Sequence, residues 1–212
     1  MATQQAIKRN RLLEQAERLF LEKGFKAVRV EEIAAAAGIS KMTIYNQFIS
    51  KENLFLEISL DMIRRFNQEV AEEVWKRTST FDRLRVYFEK GQAAADAISA
   101  DYYQDLYDMP YLIEAIAAFK RETTLQILWE ILQEGTNKGE IQETDQQFVV
   151  RFLDVVTAGM LQIGPRMAEK EMLAFNRQLF VFLKKGLMAE AKHRDGEEGT
   201  CDRVYIHGKK PE

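Results

Sequence analysis

The sequence predicts an all-α fold of about nine helices, because long stretches repeat apolar residues at i, i+3, i+4 and i+7, the period of a helix with one buried face. Sustained alternation of apolar and polar residues, the mark of half-buried strands, is lacking. Only three prolines interrupt the 212 residues. With 46% hydrophobic and 30% charged residues the balance is that of an ordinary globular protein, and the length suffices for a sizeable core.

The spacing predicts a first helix over about Gln4 to Lys23, with Leu12, Leu13, Ala16, Leu19 and Phe20 on its buried side and Gly24 ending it. Phe25 and Val28 are then placed to plug a small core shared with the next stretch. Val30 to Phe48 reads as two short helices packed across a tight turn. Ile33, Ala34 and Ala37 form the inner face of one, Ile44 and Phe48 that of the other. Gly38 sits where the chain reverses and a positive φ is needed. Ser40 follows as an N-cap, so a helix of about two turns begins at Lys41. On it Lys41, Met42, Thr43, Tyr45, Asn46 and Gln47 are not needed for the core and project outward together. That is the layout of a helix-turn-helix reader.

Beyond this unit, Ser50 caps a helix starting at Lys51 and reaching about Trp75, with Glu52 near its positive end. Ser79 to Asp82 fits a capping-box variant opening a helix to about Ile98. Tyr102 to Met109 is read as a short aromatic segment. Pro110 suits the first turn of one long helix that carries Leu112, Ile116, Phe119, Ile127, Leu128 and Ile131 and ends near Gly135 to Gly139. Thr144 to Gln147 forms a T-x-x-Q capping box for a helix with Phe148, Phe152, Val155, Val156, Gly159, Met160 and Ile163, stopped at Gly164-Pro165. The last helix, about Glu169 to Lys192, bears a stripe of Met172, Phe175, Leu179, Phe182 and Leu183, widened by Leu173, Phe180 and Leu187. A helix apolar over that much surface needs partners on two sides, either its own core or a second subunit. Phe152, Val156, Met160, Phe175, Leu179 and Phe182 are the candidate dimer residues. From His193 onward periodicity is lost. The expected division is therefore residues 1–50 as a head, 51–192 as a helical body and 193–212 as a polar tail.

The net charge of −3 conceals an asymmetry. Met1 to Lys51 carries nine Lys/Arg against five Asp/Glu, a net +4, and the remainder carries 21 against 28, a net −7. A basic head on an acidic body suits a protein that places one end on a polyanion. The single cysteine, Cys201, excludes an internal disulfide framework, and no apolar run approaches a membrane span. The N-terminus has basic residues without an apolar segment behind them, so it does not read as a signal peptide and a cytoplasmic location is expected.

Both histidines, His193 and His207, lie in the tail with the cysteine. The helical body therefore offers neither a His-based nucleophilic arrangement nor the usual zinc ligands. Phosphate-cradling glycine motifs are also missing. Adjacent acids such as Glu31 and Glu32, or Glu72 and Glu73, point to different helix faces and are expected to be solvated. Neither enzyme activity nor a cofactor nor a metal is expected.

The run from Arg11 through Glu57 includes EQAERLFLEKGF and then EEIAAAAGISKMTIYNQFISKENLF. It closely resembles the N-terminal DNA-binding domain of the TetR family of bacterial transcriptional regulators, and the spacing of Tyr45, Phe48, Lys51 and Glu52 is its most specific part. The resemblance implies a homodimer on a partly palindromic double-stranded DNA operator, with ligand binding in the body moving the two heads. It implies that Lys41, Met42, Thr43, Tyr45 and Asn46 read DNA from a helix capped by Ser40, and that Lys51 holds a phosphate at the next helix N-terminus. The chemistry agrees: lysine charge and helix-end N–H groups favour phosphate, while Thr43 and Asn46 can bond base edges. The chain departs from the family pattern at Val28 and Arg29, where a hydroxyl cap is common, and at Met42 and Gln47. Arg29 is accordingly expected on phosphate.

In the body, Tyr102, Tyr103, Tyr107, Met109, Tyr111 and Trp129 gather aromatic and thioether groups near a break in helix. Either they pack the core or Tyr102, Tyr103, Tyr107, Met109 and Trp129 line a pocket for an apolar or aromatic small molecule. The leading expectation is a ligand-controlled repressor. The alternative is a helical protein-interaction module whose basic head meets an acidic protein.

Overall fold

The computed structural model describes residues 4–143, 145, 147–149, 151, 152, 155, 156, 159 and 169–187. Its helices are α1 (Gln4–Ala27), α2 (Val30–Ala37), α3 (Lys41–Gln47), α4 (Lys51–Val74), α5 (Thr80–Asp96), α6 (Ala100–Tyr107), α7 (Pro110–Glu122), α8 (Thr124–Asn137) and α9 (Glu169–Leu187). The all-α fold with an N-terminal helix-turn-helix is as the periodicity predicts. Thr144, Met160, Gly164, Pro165 and the tail with His193, Cys201 and His207 lie outside the described residues.

The described residues bury two hydrophobic clusters. The first joins Leu12, Ala16 and Phe20 of α1, Ile33 of α2 and Ile44 of α3 to Leu54, Phe55 and Ile58 of α4, Tyr102 and Leu106 of α6, and Leu112 of α7. The second lies at the far end, where Val70 and Val74 of α4 meet Leu84 and Tyr87 of α5 and Leu128, Ile131 and Leu132 of α8. A three-helix unit of about 50 residues buries too little surface to be robust alone. The structure answers this by sharing its core with the first half of α4 and with α6 and α7.

Local chemistry explains where the elements differ from the expected ones. The helical backbone of α1 breaks at Gly24 (φ 78°, ψ 174°), as expected, and one further turn beyond the break carries Phe25 inward. The aromatic segment Tyr102 to Met109 is mostly helix: Ser99 Oγ accepts the Tyr102 backbone N–H and starts α6. The single long helix expected from Pro110 is two, broken at Thr123 (φ −121°, ψ −62°), whose hydroxyl donates to the Phe119 carbonyl at 2.7 Å. Such side-chain bonding back to the i−4 carbonyl competes with continued helix. Ser79 does not cap α5 with its hydroxyl. Instead Glu140, arriving from beyond α8, accepts the Thr80 N–H at 2.7 Å. Beside the T-x-x-Q box, Asp145 Oδ1 accepts the Phe148 N–H at 2.6 Å.

α6 locks onto the kink of α1. Asp105, buried, accepts the Lys26 backbone N–H at 2.7 Å, and a Cβ on Gly24 would stand 2.7 Å from the same carboxylate oxygen. Lys26 also pairs with Asp108, and Arg65 of α4 reaches Glu17 of α1 at 2.5 Å. The head is thus positioned by α4 from one side and α6 from the other.

Candidate nucleic-acid interface

α2 ends in a left-handed Gly38 (φ 67°, ψ 36°). Its N–H donates to the Ala35 carbonyl at 3.2 Å and the Ile39 N–H to the Ala34 carbonyl at 3.0 Å. This paired closure satisfies two orphan carbonyls and turns the chain through the angle the motif requires. Ser40 then caps α3, its Oγ accepting the Thr43 N–H at 3.1 Å and lying 2.8 Å from the Thr43 hydroxyl. Ile44 and Phe48 are buried, which fixes the rotation of α3 about its axis. Met42 (69% exposed), Tyr45 (41%), Lys41, Asn46 and Gln47 face outward as the pattern predicts, and Thr43 is half-buried beneath them.

The other expected contacts are placed with more particularity. Arg29 is exposed at the N-cap of α2 and its side chain makes no cap bond, as the lack of a hydroxyl there predicts. Lys51 stands at the first position of α4, beneath the Ser50 cap. Its ammonium rests 4.0 Å over the Phe25 ring, and burial lowers its pKa. Lys41 lies 5.7 Å from the centre of the Tyr45 ring and pairs at 2.5 Å with Glu31 of α2.

The acids Glu31 and Glu32 lie at the surface as expected, and each has a lysine partner there. Glu31 holds Lys41 and Glu32 holds Lys23, and the hydrogen bonds from these lysines pull both carboxyls below their ordinary range. Glu31 and Lys41 are ten residues apart across a turn, so no helical spacing rule announces them. Arg11 was equally invisible: its guanidinium lies against Gly38, 3.6 Å from where a Cβ would stand.

In the body the aromatic set divides. Tyr102 is buried, its hydroxyl 2.7 Å from Ser59 Oγ and its ring 4.8 Å from Phe55, and burial raises its pKa to about 12. Tyr103 packs edge-on against it, and Met109 joins the same cluster. Tyr107 is half-buried on α6. Trp129 packs in the second cluster instead, so it is not brought to the tyrosines. The described part of α9 packs on α5. Phe175 and Phe182 (67%) are exposed while Leu179 is partly buried. Phe152 and Val156 are partly buried, and Phe152 stacks on Phe148. Met160 lies outside the described residues.

Residues 12–58, from α1 through the start of α4, match the model for bacterial regulatory proteins of the tetR family. The HTH-type transcriptional repressor KstR2 of Mycolicibacterium smegmatis is 29% identical over 158 residues, covering 71% of this chain and 76% of that protein. Residues 12–58 thus carry a domain of the tetR family. The likeness in fold extends through the body as well: a transcriptional regulator from Cytophaga hutchinsonii superposes with a TM-score of 0.72 at 18% identity, over 85% of this chain and 98% of that one. FadR of Bacillus subtilis, solved in complex with stearoyl-CoA, superposes with a TM-score of 0.62 at 19% identity, over 84% of this chain and 98% of that one. At these identities the superpositions carry the fold. The tetR-family match over residues 12–58 and the likeness to KstR2 make the chain a DNA-binding transcriptional regulator.

Proposed function

We propose that the protein is a repressor that binds a partly palindromic operator as a homodimer and is controlled by an apolar small molecule held in its body. The observation that carries this is the capped, rigidly rotated α3, which holds Lys41, Met42, Tyr45 and Asn46 outward over a buried Ile44 and Phe48. An α-helix presented in this way fits the major groove. Thr43 and Asn46 supply hydrogen bonds to base edges, Met42 an apolar surface, and Arg29 and Lys51 contacts to phosphate, Lys51 after its ammonium leaves the Phe25 ring. Residues 1–50 read DNA in this proposal, and 51–192 sense and dimerise. The boundary is one of role, since the buried core runs across it.

Relatives support the regulatory half. KstR2 bears the name of a repressor, and FadR of Bacillus subtilis was solved with stearoyl-CoA. An effector entering beside Tyr102, Tyr103, Tyr107 and Met109 would push α6, and the Asp105–Lys26 bond would carry that push to α1. The exposed Phe175 and Phe182 favour a second copy as the cover for α9. A bacterial operator places the protein in the cytoplasm, in keeping with described helices that are none of them long and apolar enough to cross a membrane.

Selection of bound fragments from random duplex DNA tests the proposal. A two-fold repeated motif should emerge. Asn46→Ala should relax base preference at one position per half-site at ~1–3 kcal/mol, and Arg29→Ala should weaken all sequences alike. Recovery of unrelated sequences, with no change in either variant, would sink it.

A further inference from the structure

α3 carries one charge. Among its seven residues KMTIYNQ only Lys41 is ionised, and its ammonium already has a partner in Glu31, 2.5 Å away on the first turn of α2. Both side chains stand at the surface, 50% and 61% exposed, with Lys41 beside the outward-facing Tyr45.

A carboxylate in that place has two effects on DNA. It repels the phosphate backbone directly, and it neutralises the lysine that would otherwise attract any phosphate, so it removes affinity that carries no sequence information. An ammonium has three donors, however, and Glu31 occupies one of them in a fixed direction. Two remain for a base edge with paired acceptors, such as guanine O6 and N7.

We propose that Glu31 is a specificity-determining residue of the reading head, one that lowers binding to arbitrary DNA while orienting Lys41 for a base edge in the operator. It acts through Lys41 rather than by touching a base. The inference rests on α3 being the reading helix, and the test separates the two.

Full-length wild type, Glu31→Gln, Lys41→Gln and the double variant are titrated, across a salt series, against a duplex of random sequence and a duplex selected by the wild type. On the random duplex Glu31→Gln should bind several-fold tighter, with a log–log salt slope steeper by about 0.9, the increment of one further phosphate contact. On the selected duplex it should gain less or weaken, so the ratio of the two affinities falls. In the Lys41→Gln background the substitution should lose most of its effect. An unchanged random-duplex affinity and slope in Glu31→Gln overturns the proposal. Equal gains with and without Lys41 also overturn it, because Glu31 would then act only through its own charge. If Lys41→Gln matches wild type on both duplexes, the assignment of α3 as reader fails first and the role of Glu31 fails with it.

Discussion

The two hydrophobic clusters are built by different means. The one beneath the head is tied by a knot of rings from distant parts of the chain: Phe55 meets Phe20 at 5.1 Å, Phe25 at 5.2 Å and Tyr102 at 4.8 Å between ring centres. The far one has a largely aliphatic buried centre rimmed by Phe66, Phe81, Phe88 and Trp129 and is fastened at its end by charge, where buried Arg83 bonds the Arg77 carbonyl at 2.8 Å, lies 4.7 Å from the Trp75 ring and pairs with Glu134. The first arrangement couples the helix-turn-helix to the body. The second closes the loop between α4 and α5 against α8 and leaves the head alone. Damage at the two sites should therefore differ in kind as well as size.

The largest effect should come from Phe55→Ala. Deleting a fully buried phenyl group that three rings share should cost ~3–5 kcal/mol, and a thermal melt should show the head and body losing structure in one transition. Two separate transitions would mean that the clusters are less joined than their packing implies. Gly24→Ala comes next. The backbone there lies in a region reserved almost wholly to glycine, and the added Cβ collides with Asp105, so a loss of at least ~1–3 kcal/mol is expected. Because the collision lies between α1 and α6, DNA affinity should fall further than a matched loss of stability elsewhere would explain.

Arg83→Met supplies that matched loss. It removes bonds to the Arg77 carbonyl and to Glu134, which is partly solvated, at an expected ~1–3 kcal/mol by urea denaturation, with DNA affinity measured well below the midpoint unchanged. Reduced affinity in this variant would erase the distinction between the clusters. The smallest effect is on pH dependence. Glu31 and Glu32 titrate below an ordinary value of 4.5 when folded, so their stabilisation is present above that value and is lost as pH falls through the lower folded values. Glu31→Gln with Glu32→Gln should lower the neutral plateau of a denaturation midpoint plotted against pH slightly and leave the acid end in place, so that the acid limb flattens by the same small amount.

What could be read in advance follows the range of the interactions. Gly38, Ser40 and Ser50 act within four residues of themselves, and a glycine at a reversal or a serine before a helix is a signal that a sequence displays directly. Ile44 and Phe48 were legible because one helical face must be buried. The break at Thr123 was not, because the apolar period runs through it and the interruption depends on one hydroxyl turning back. The place of Trp129 in the second cluster, the pairing of Glu31 with Lys41, and the grip of Asp105 on Lys26 all depend on how helices cross. Asp105 and Lys26 are 79 residues apart, and no local pattern ties them.

The grip of α6 on α1 bears on modularity. Regulators with a reading head and a sensing body invite recombination, in which one head is spliced to another body to give a new pairing of operator and effector. In this chain a splice after residue 50 would strip Phe20 and Phe25 of Phe55 and Tyr102, and would leave the Lys26 N–H without its carboxylate. A transplantable unit must therefore be discontinuous, with the first half of α4 and the whole of α6 travelling with the head. Chimaeras that move those segments together should fold and repress, while those cut at the apparent boundary should need compensating changes on the surface of the recipient body.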